Sequence, residues 1–121
     1  MELHKSAEDY LETMLVLRDR HGYIRSVDIA GELGVKKPSV TYATKRLREN
    51  GYITMDENSF ITLTPTGLEA AERIYTRHKV LISFLMGLGV PEEIAHEDAC
   101  KLEHDLSDET FAALQAAMNI E

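Results

Sequence analysis

Glycine and proline cut this chain into apolar stretches of unequal length and period, and that punctuation limits the fold more than any other feature. The first stretch, Ser6 to about Arg20, sets Tyr10, Leu11, Met14, Leu15 and Leu17 at helical spacing and ends at His21-Gly22. Ser6 and Asp9 are spaced as an N-terminal capping pair. Tyr23-Ile24-Arg25 fits a short extended piece. The pattern then predicts a short helix capped by Ser26, running through Val27, Ile29, Ala30 and Leu33 to a stop at Gly34. Pro38 suits the first turn of a third helix, where its missing N–H costs little; that helix buries Val40, Ala43 and Leu47 and closes at Asn50-Gly51.

Beyond Gly51 the period changes. Tyr52-Ile53-Thr54-Met55 and Phe60-Ile61-Thr62-Leu63 are β-prone runs around Asp56-Glu57-Asn58-Ser59, which reads as a hairpin. A long helix is expected from about Thr66 to Met86, with Leu68, Ala71, Ile74, Tyr75 and Leu81 inward, broken by Gly87 and Gly89. Another follows from Pro91 to about Leu106, and a last one, capped by Ser107, from Asp108 to Met118. The expected fold is therefore mainly α: an N-terminal winged helix-turn-helix with a two-stranded wing over residues 1–65, then a helical domain over 66–121.

Net charge first argues against a nucleic-acid partner. The 121 residues hold 13 Lys plus Arg against 21 Asp plus Glu, a formal charge of −8. By region the picture differs. Residues 1–60 carry nine basic and ten acidic side chains, a net of −1, and residues 61–121 carry four and eleven, a net of −7. Within the first half, Lys36, Lys37, Lys45, Arg46 and Arg48 occur with no acid between them, a local +5 suited to phosphate. A basic helix alone is more often a solvated face; the hairpin beside it favours DNA. Pro38 opens the recognition helix, Ser39, Thr41 and Tyr42 stand where base edges are read, and Lys36, Lys37, Lys45 and Arg48 suit the backbone.

Ligand-capable side chains are grouped as well. Cys100, Glu103 and His104 fall at i, i+3 and i+4, on one helical face, with His96 one turn earlier. Asp9 and Glu12 share a face of the first helix, and His78 lies near the inward side of the long one. Thiolate, imidazole and carboxylate from three helices suit a divalent transition metal. Taken singly, His78 reads as an ordinary core or surface histidine, Cys100 as a small buried hydrophobe, and Glu103 and Asp9 as solvated acids. Spacing alone leaves both readings open.

At these residues the sequence resembles the DtxR/MntR family of metal-dependent repressors, from about Ala7 to Ser107. The resemblance is carried by Glu8-Asp9-Tyr10-Leu11, Lys37-Pro38-Ser39-Val40-Thr41, Leu63-Thr64-Pro65-Thr66-Gly67, Arg77-His78 and the run from Asp98 to Ser107. It implies metal-ligand roles for Asp9, Glu12, His78, Cys100, Glu103 and His104. Asp9 and Glu12 look like the manganese branch, whereas Cys100 looks like the iron branch, and His96 matches an ancillary-site histidine of that branch. Ile82 stands where the iron branch is acidic, and the sequence ends at Glu121 without an SH3-like domain.

The expected function is a metal-dependent transcriptional repressor of iron or manganese homeostasis, and not an enzyme. Fe²⁺ is favoured by the thiolate and Mn²⁺ follows closely, while Zn²⁺, Co²⁺ or Ni²⁺ would substitute in vitro. A homodimer formed through Leu81, Phe84, Leu85, Phe111 and Leu114 would read a pseudo-palindromic double-stranded operator. No apolar run reaches the roughly 18 residues of a membrane span and no signal peptide is evident, so the expected location is cytoplasmic. Three other readings compete: a winged-helix regulator answering to an organic ligand or to no metal, a zinc hydrolase, and a protein–protein module. The hydrolase lacks an HExxH-type pattern.

Overall fold

The computed structural model describes residues 3–118. Among these residues the element order is α1 (Lys5–His21), β1 (Ile24–Arg25), α2 (Ser26–Leu33), α3 (Lys37–Glu49), β2 (Ile53–Met55), β3 (Phe60–Leu63), α4 (Pro65–Gly87), α5 (Glu92–Leu102) and α6 (Asp108–Met118). They form two compact units, Met1–Glu72 and Arg73–Glu121, with the division falling inside α4. Among the described residues no helix is long and apolar enough to cross a membrane.

In the first unit α1 packs on α2 and α3, and α2 on α3. Their apolar stripes meet in a core of Leu11, Met14, Leu17, Ile29, Val40 and Leu47, each at most 2 % exposed. Gly34 makes the turn of the helix-turn-helix: its φ of 66° lies in the left-handed region, where a side chain would be strained. The wing is a sheet of order β1-β3-β2, antiparallel throughout. Ile53, Ile61 and Leu63 point inward while Thr54 and Thr62 face out, the alternation that puts one face of a sheet on a core. Asp56 Oδ1 accepts the Asn58 and Phe60 N–H groups at 2.8 and 2.9 Å, holding the tip of the hairpin.

The base of the wing is a close approach. Thr64 N–H donates to the Tyr52 carbonyl at 3.1 Å and Thr64 Oγ1 to the Gly51 carbonyl at 2.7 Å. Gly67, in the first turn of α4, has its backbone against Tyr52: a Cβ there would lie 1.9 Å from the Tyr52 oxygen. Only glycine fits.

Several local expectations are corrected. The wing hairpin gains a third strand, because Ile24 and Arg25 pair with Ile61 and Phe60. Ser6 and Ser26 do not cap their helices; the N-cap positions are His4 and Arg25, both extended and without a side-chain bond to the helix end. Ser107 does cap α6, accepting the Thr110 N–H at 3.1 Å. The fifth helix is shorter than its apolar spacing suggests. It stops at Leu102, leaving Glu103 as its C-cap rather than an interior residue.

Candidate metal centre and nucleic-acid interface

In the first unit, α3 buries Val40, Thr44 and Leu47, leaves Ala43 part-buried where the spacing predicts it buried, and exposes the remaining positions. Lys36 is the extended N-cap, Lys37 and Pro38 open the helix, and Lys36, Lys37, Pro38, Ser39, Thr41, Tyr42, Lys45 and Arg48 are all exposed. Thr41 Oγ1 donates to the Lys37 carbonyl at 3.1 Å, so its methyl group faces away from that bond. The Tyr42 ring is 64 % exposed, and the Arg46 guanidinium lies over it while donating to its hydroxyl at 3.2 Å. Outside the candidate DNA-binding set, α3 also exposes Arg46 and β1 exposes Arg25, whose guanidinium lies 5.2 Å from the Phe60 ring centre. Arg46 is legible in the +5 run; Arg25 emerges only once β1 pairs with the wing.

The second unit gathers the ligand-capable groups. His78 lies on α4, one residue after Arg77, and α5 brings His96 and Cys100 up to Glu103 at its end. His78 Nδ1 is 3.0 Å from Glu103 Oε2 and 3.8 Å from Cys100 Sγ. One donor atom from each of His78, Cys100 and Glu103 falls within 4.8 Å of the others. Bonds of about 2.0–2.3 Å to an ion hold ligand atoms up to about 4.6 Å apart, so this thiolate–imidazole–carboxylate set fits a divalent transition metal with a small contraction.

Burial marks which of these groups is most committed. Glu103 has no exposed surface, and a buried carboxylate is costly unless opposed by donors or cations. Its second oxygen, Oε1, lies 3.4 Å from Nε2 of His104, whose side chain is also buried. Glu103 therefore stands between two imidazoles, far from the solvated acid that a lone glutamate suggests. Cys100 is exposed, which overturns the reading of it as a buried hydrophobe. His96 packs its ring against His78 with centroids 5.6 Å apart, is half exposed, and has Glu92 Oε1 3.9 Å away. Asp9 and Glu12 belong to the first unit, one turn apart on α1 and both partly buried. Neither His96 nor Glu12 enters a cluster of three donor atoms among the described residues.

Arg77 carries a role that the sequence reading did not assign. Its side chain is 3 % exposed and donates through Nη1 to the carbonyls of Glu103 at 3.2 Å and Leu106 at 2.6 Å, and through Nη2 to Asp108. The signal was present: Arg77 falls three residues after Ile74 and four before Leu81, on the buried row of α4. The hydrogen bond and charge of Arg73 hold the Asp108 carboxyl below its ordinary range, with Arg77 adding to the effect.

Two protein-family descriptions match the chain. "Iron dependent repressor, N-terminal DNA binding domain" covers residues 2–59, and "Iron dependent repressor, metal binding and dimerisation domain" covers residues 64–119. A helix-turn-helix transcriptional regulator of Methanocaldococcus jannaschii is 39 % identical over 118 residues, spanning 96 % of this chain and 94 % of that one. The transcriptional regulator MntR of Salmonella typhimurium is 40 % identical over 109 residues, 90 % of this chain and 69 % of its own. Among solved structures, the manganese regulator SloR superposes with a TM-score of 0.83 at 31 % identity, covering 98 % of this chain and 55 % of that one. A manganese-dependent transcriptional repressor in complex with manganese gives 0.84 at 28 %, covering 95 % and 53 %. The chain thus spans about half the length of these solved structures.

Proposed function

The chain belongs to the DtxR/MntR family of metal-dependent transcriptional regulators, which are not enzymes, and on that premise we propose that it represses transcription when loaded with Fe²⁺. The observation that carries the reading is the convergence of His78, Cys100 and Glu103 within 4.8 Å around a fully buried carboxylate. Cys100 supports Fe²⁺, because a thiolate is a softer donor than Mn²⁺ prefers. Mn²⁺ is the second reading, favoured by the carboxylate and imidazole donors and by relatives named as manganese regulators.

When bound, a divalent ion supplies two positive charges and directional bonds to its donors. His78, Cys100 and Glu103 would hold it, with His104 beside Glu103. Asp9 and Glu12 of α1 are proposed as the carboxylates that join from the DNA-binding unit. Uncompensated, acids brought together repel one another; compensated, they tolerate the arrangement that DNA binding requires. The difference in cation affinity between the two arrangements is the coupling free energy, of the order of 1–3 kcal/mol in such switches.

On the DNA side, Lys36, Lys37, Lys45 and Arg48 serve the phosphates, and Ser39, Thr41 and Tyr42 serve base edges, with Pro38 fixing the start of the helix. A homodimer would present two such helices to a pseudo-palindrome. Leu81 is buried within its own protomer, so the proposed interface rests on the part-exposed Phe84, Leu85, Phe111 and Leu114 and the exposed Met86 and Leu88.

The test is operator binding titrated anaerobically with Fe²⁺ and with Mn²⁺, with and without chelator, for the parent and a Cys100→Glu variant. Metal-dependent binding by the parent and a shift of preference towards Mn²⁺ in the variant are expected. Affinity indifferent to both metals and to chelator would leave a winged-helix regulator of another kind.

A further inference from the structure

At the end of α5 the Leu102 carbonyl accepts the Asp105 and Leu106 N–H groups at 3.0 and 3.3 Å. Beyond that turn a buried guanidinium takes up two further carbonyls. Arg77 bonds the carbonyl of Glu103 at 3.2 Å and that of Leu106 at 2.6 Å, and its other nitrogen bonds Asp108 at the start of α6. Its plane also lies over the Phe111 ring, 5.1 Å from the centre. The Arg77 backbone is meanwhile the immediate neighbour of His78 on α4.

One side chain therefore ties the main chain of Glu103 to the helix turn that carries His78. The 3.0 Å separation of Glu103 Oε2 from His78 Nδ1 depends on where that main chain is held. We propose that Arg77 is a positioning residue for the metal centre: touching no ion itself, it fixes the end of α5 so that Glu103 meets His78 and Cys100 at ligand spacing. This rests on the ligand reading given above. Arginine suits the task because its planar fork reaches two carbonyls and a carboxylate together, which the single ammonium of lysine cannot.

The experiment titrates the full chain with Co²⁺, following the thiolate-to-cobalt absorption of Cys100, and separately measures thermal unfolding without metal. Arg77→Met keeps much of the side-chain volume and removes every donor. It is expected to weaken Co²⁺ binding about 10–100-fold, the range seen when groups that orient metal ligands are removed. Arg77→Lys should fall between that variant and the parent. Asp108→Asn leaves the carbonyl bonds in place and should bind Co²⁺ within about threefold of the parent, by the same reasoning.

A purely structural arginine would lower the unfolding temperature and leave Co²⁺ affinity within about twofold, which would overturn the proposal. Equal losses in Asp108→Asn and Arg77→Met would also overturn it, by moving the effect from the carbonyls to the ion pair. If Arg77→Met does not fold, Arg77→Lys carries the test on the same criterion. Failure of the parent itself to bind Co²⁺ would sink the ligand reading, and the positioning role with it.

Discussion

Gly67→Ala is a substitution for which helix propensity and packing predict opposite signs. Propensity favours alanine over glycine in a helix by up to about 1 kcal/mol. The packing is adverse: a Cβ at residue 67 would sit 1.9 Å from the Tyr52 carbonyl oxygen and 2.9 Å from its carbon, both backbone atoms. That carbonyl would have to retreat by about 1 Å, and overpacking of this kind costs about 1–3 kcal/mol. The retreat also stretches the Thr64 N–H bond to Tyr52, now 3.1 Å, a loss of about 1 kcal/mol. Set against propensity, the net is a destabilisation of about 1–3 kcal/mol, or about 4–12 °C in Tm for a chain of this size. Gly31→Ala in α2 is the control, because a Cβ there meets nothing within 4 Å. It should raise Tm by up to about 4 °C through propensity alone. Calorimetric unfolding of both variants with urea titration decides the matter. A Gly67→Ala protein as stable as its parent would refute the close approach of the wing base to α4.

Ser107→Ala removes the acceptor of the Thr110 N–H and should destabilise by about 1 kcal/mol in urea unfolding, with little change in m-value. Lys36→Ala and Lys37→Ala should each weaken DNA binding to all sequences alike and reduce the salt slope by about one, whereas a change at Ser39 should alter which base is preferred, measured by fluorescence anisotropy across salt. The Asp108 carboxyl is held below its ordinary pKa of 3.8 by Arg73 and Arg77, so its stabilising effect is present above that pH and is lost as pH falls through the lowered value. Acid unfolding should accordingly be less steep below about pH 4 in Asp108→Asn than in the parent.

The elements legible in the sequence were those with local causes. Gly22 and Gly34 end α1 and α2, and the alternation of Ile53, Ile61 and Leu63 with Thr54 and Thr62 reports the wing. The errors fall where a distant group decides. Nothing in Glu103-His104-Asp105-Leu106 breaks a helix locally; the chain leaves α5 there as the Arg77 guanidinium takes up the carbonyls of Glu103 and Leu106. Likewise Ser26 resembles a cap, but pairing of Arg25 with Phe60 fixes the preceding backbone as strand and starts the helix at Ser26 itself. At the candidate site, spacing put Cys100, Glu103 and His104 on one side of a helix. It could not report that Glu103 is wholly buried while Cys100 is exposed, since burial depends on what α4 brings to them.

Insertions and deletions would not be borne equally by the two reversals of this chain. The wing tip, residues 56–59, is exposed throughout and carries none of the proposed ligands, so an extra residue there lengthens a loop at modest entropic cost. Residues 103–107 are threaded at both ends, with the carbonyls of Glu103 and Leu106 on Arg77 and the hydroxyl of Ser107 on the first turn of α6. One residue more would pull Leu106 off the guanidinium or Ser107 off the helix it caps, and one fewer would do the same from the other side. This five-residue spacer acts as a ruler of fixed length. Chains that share this site should vary in length at the wing and keep their count between the glutamate and the serine.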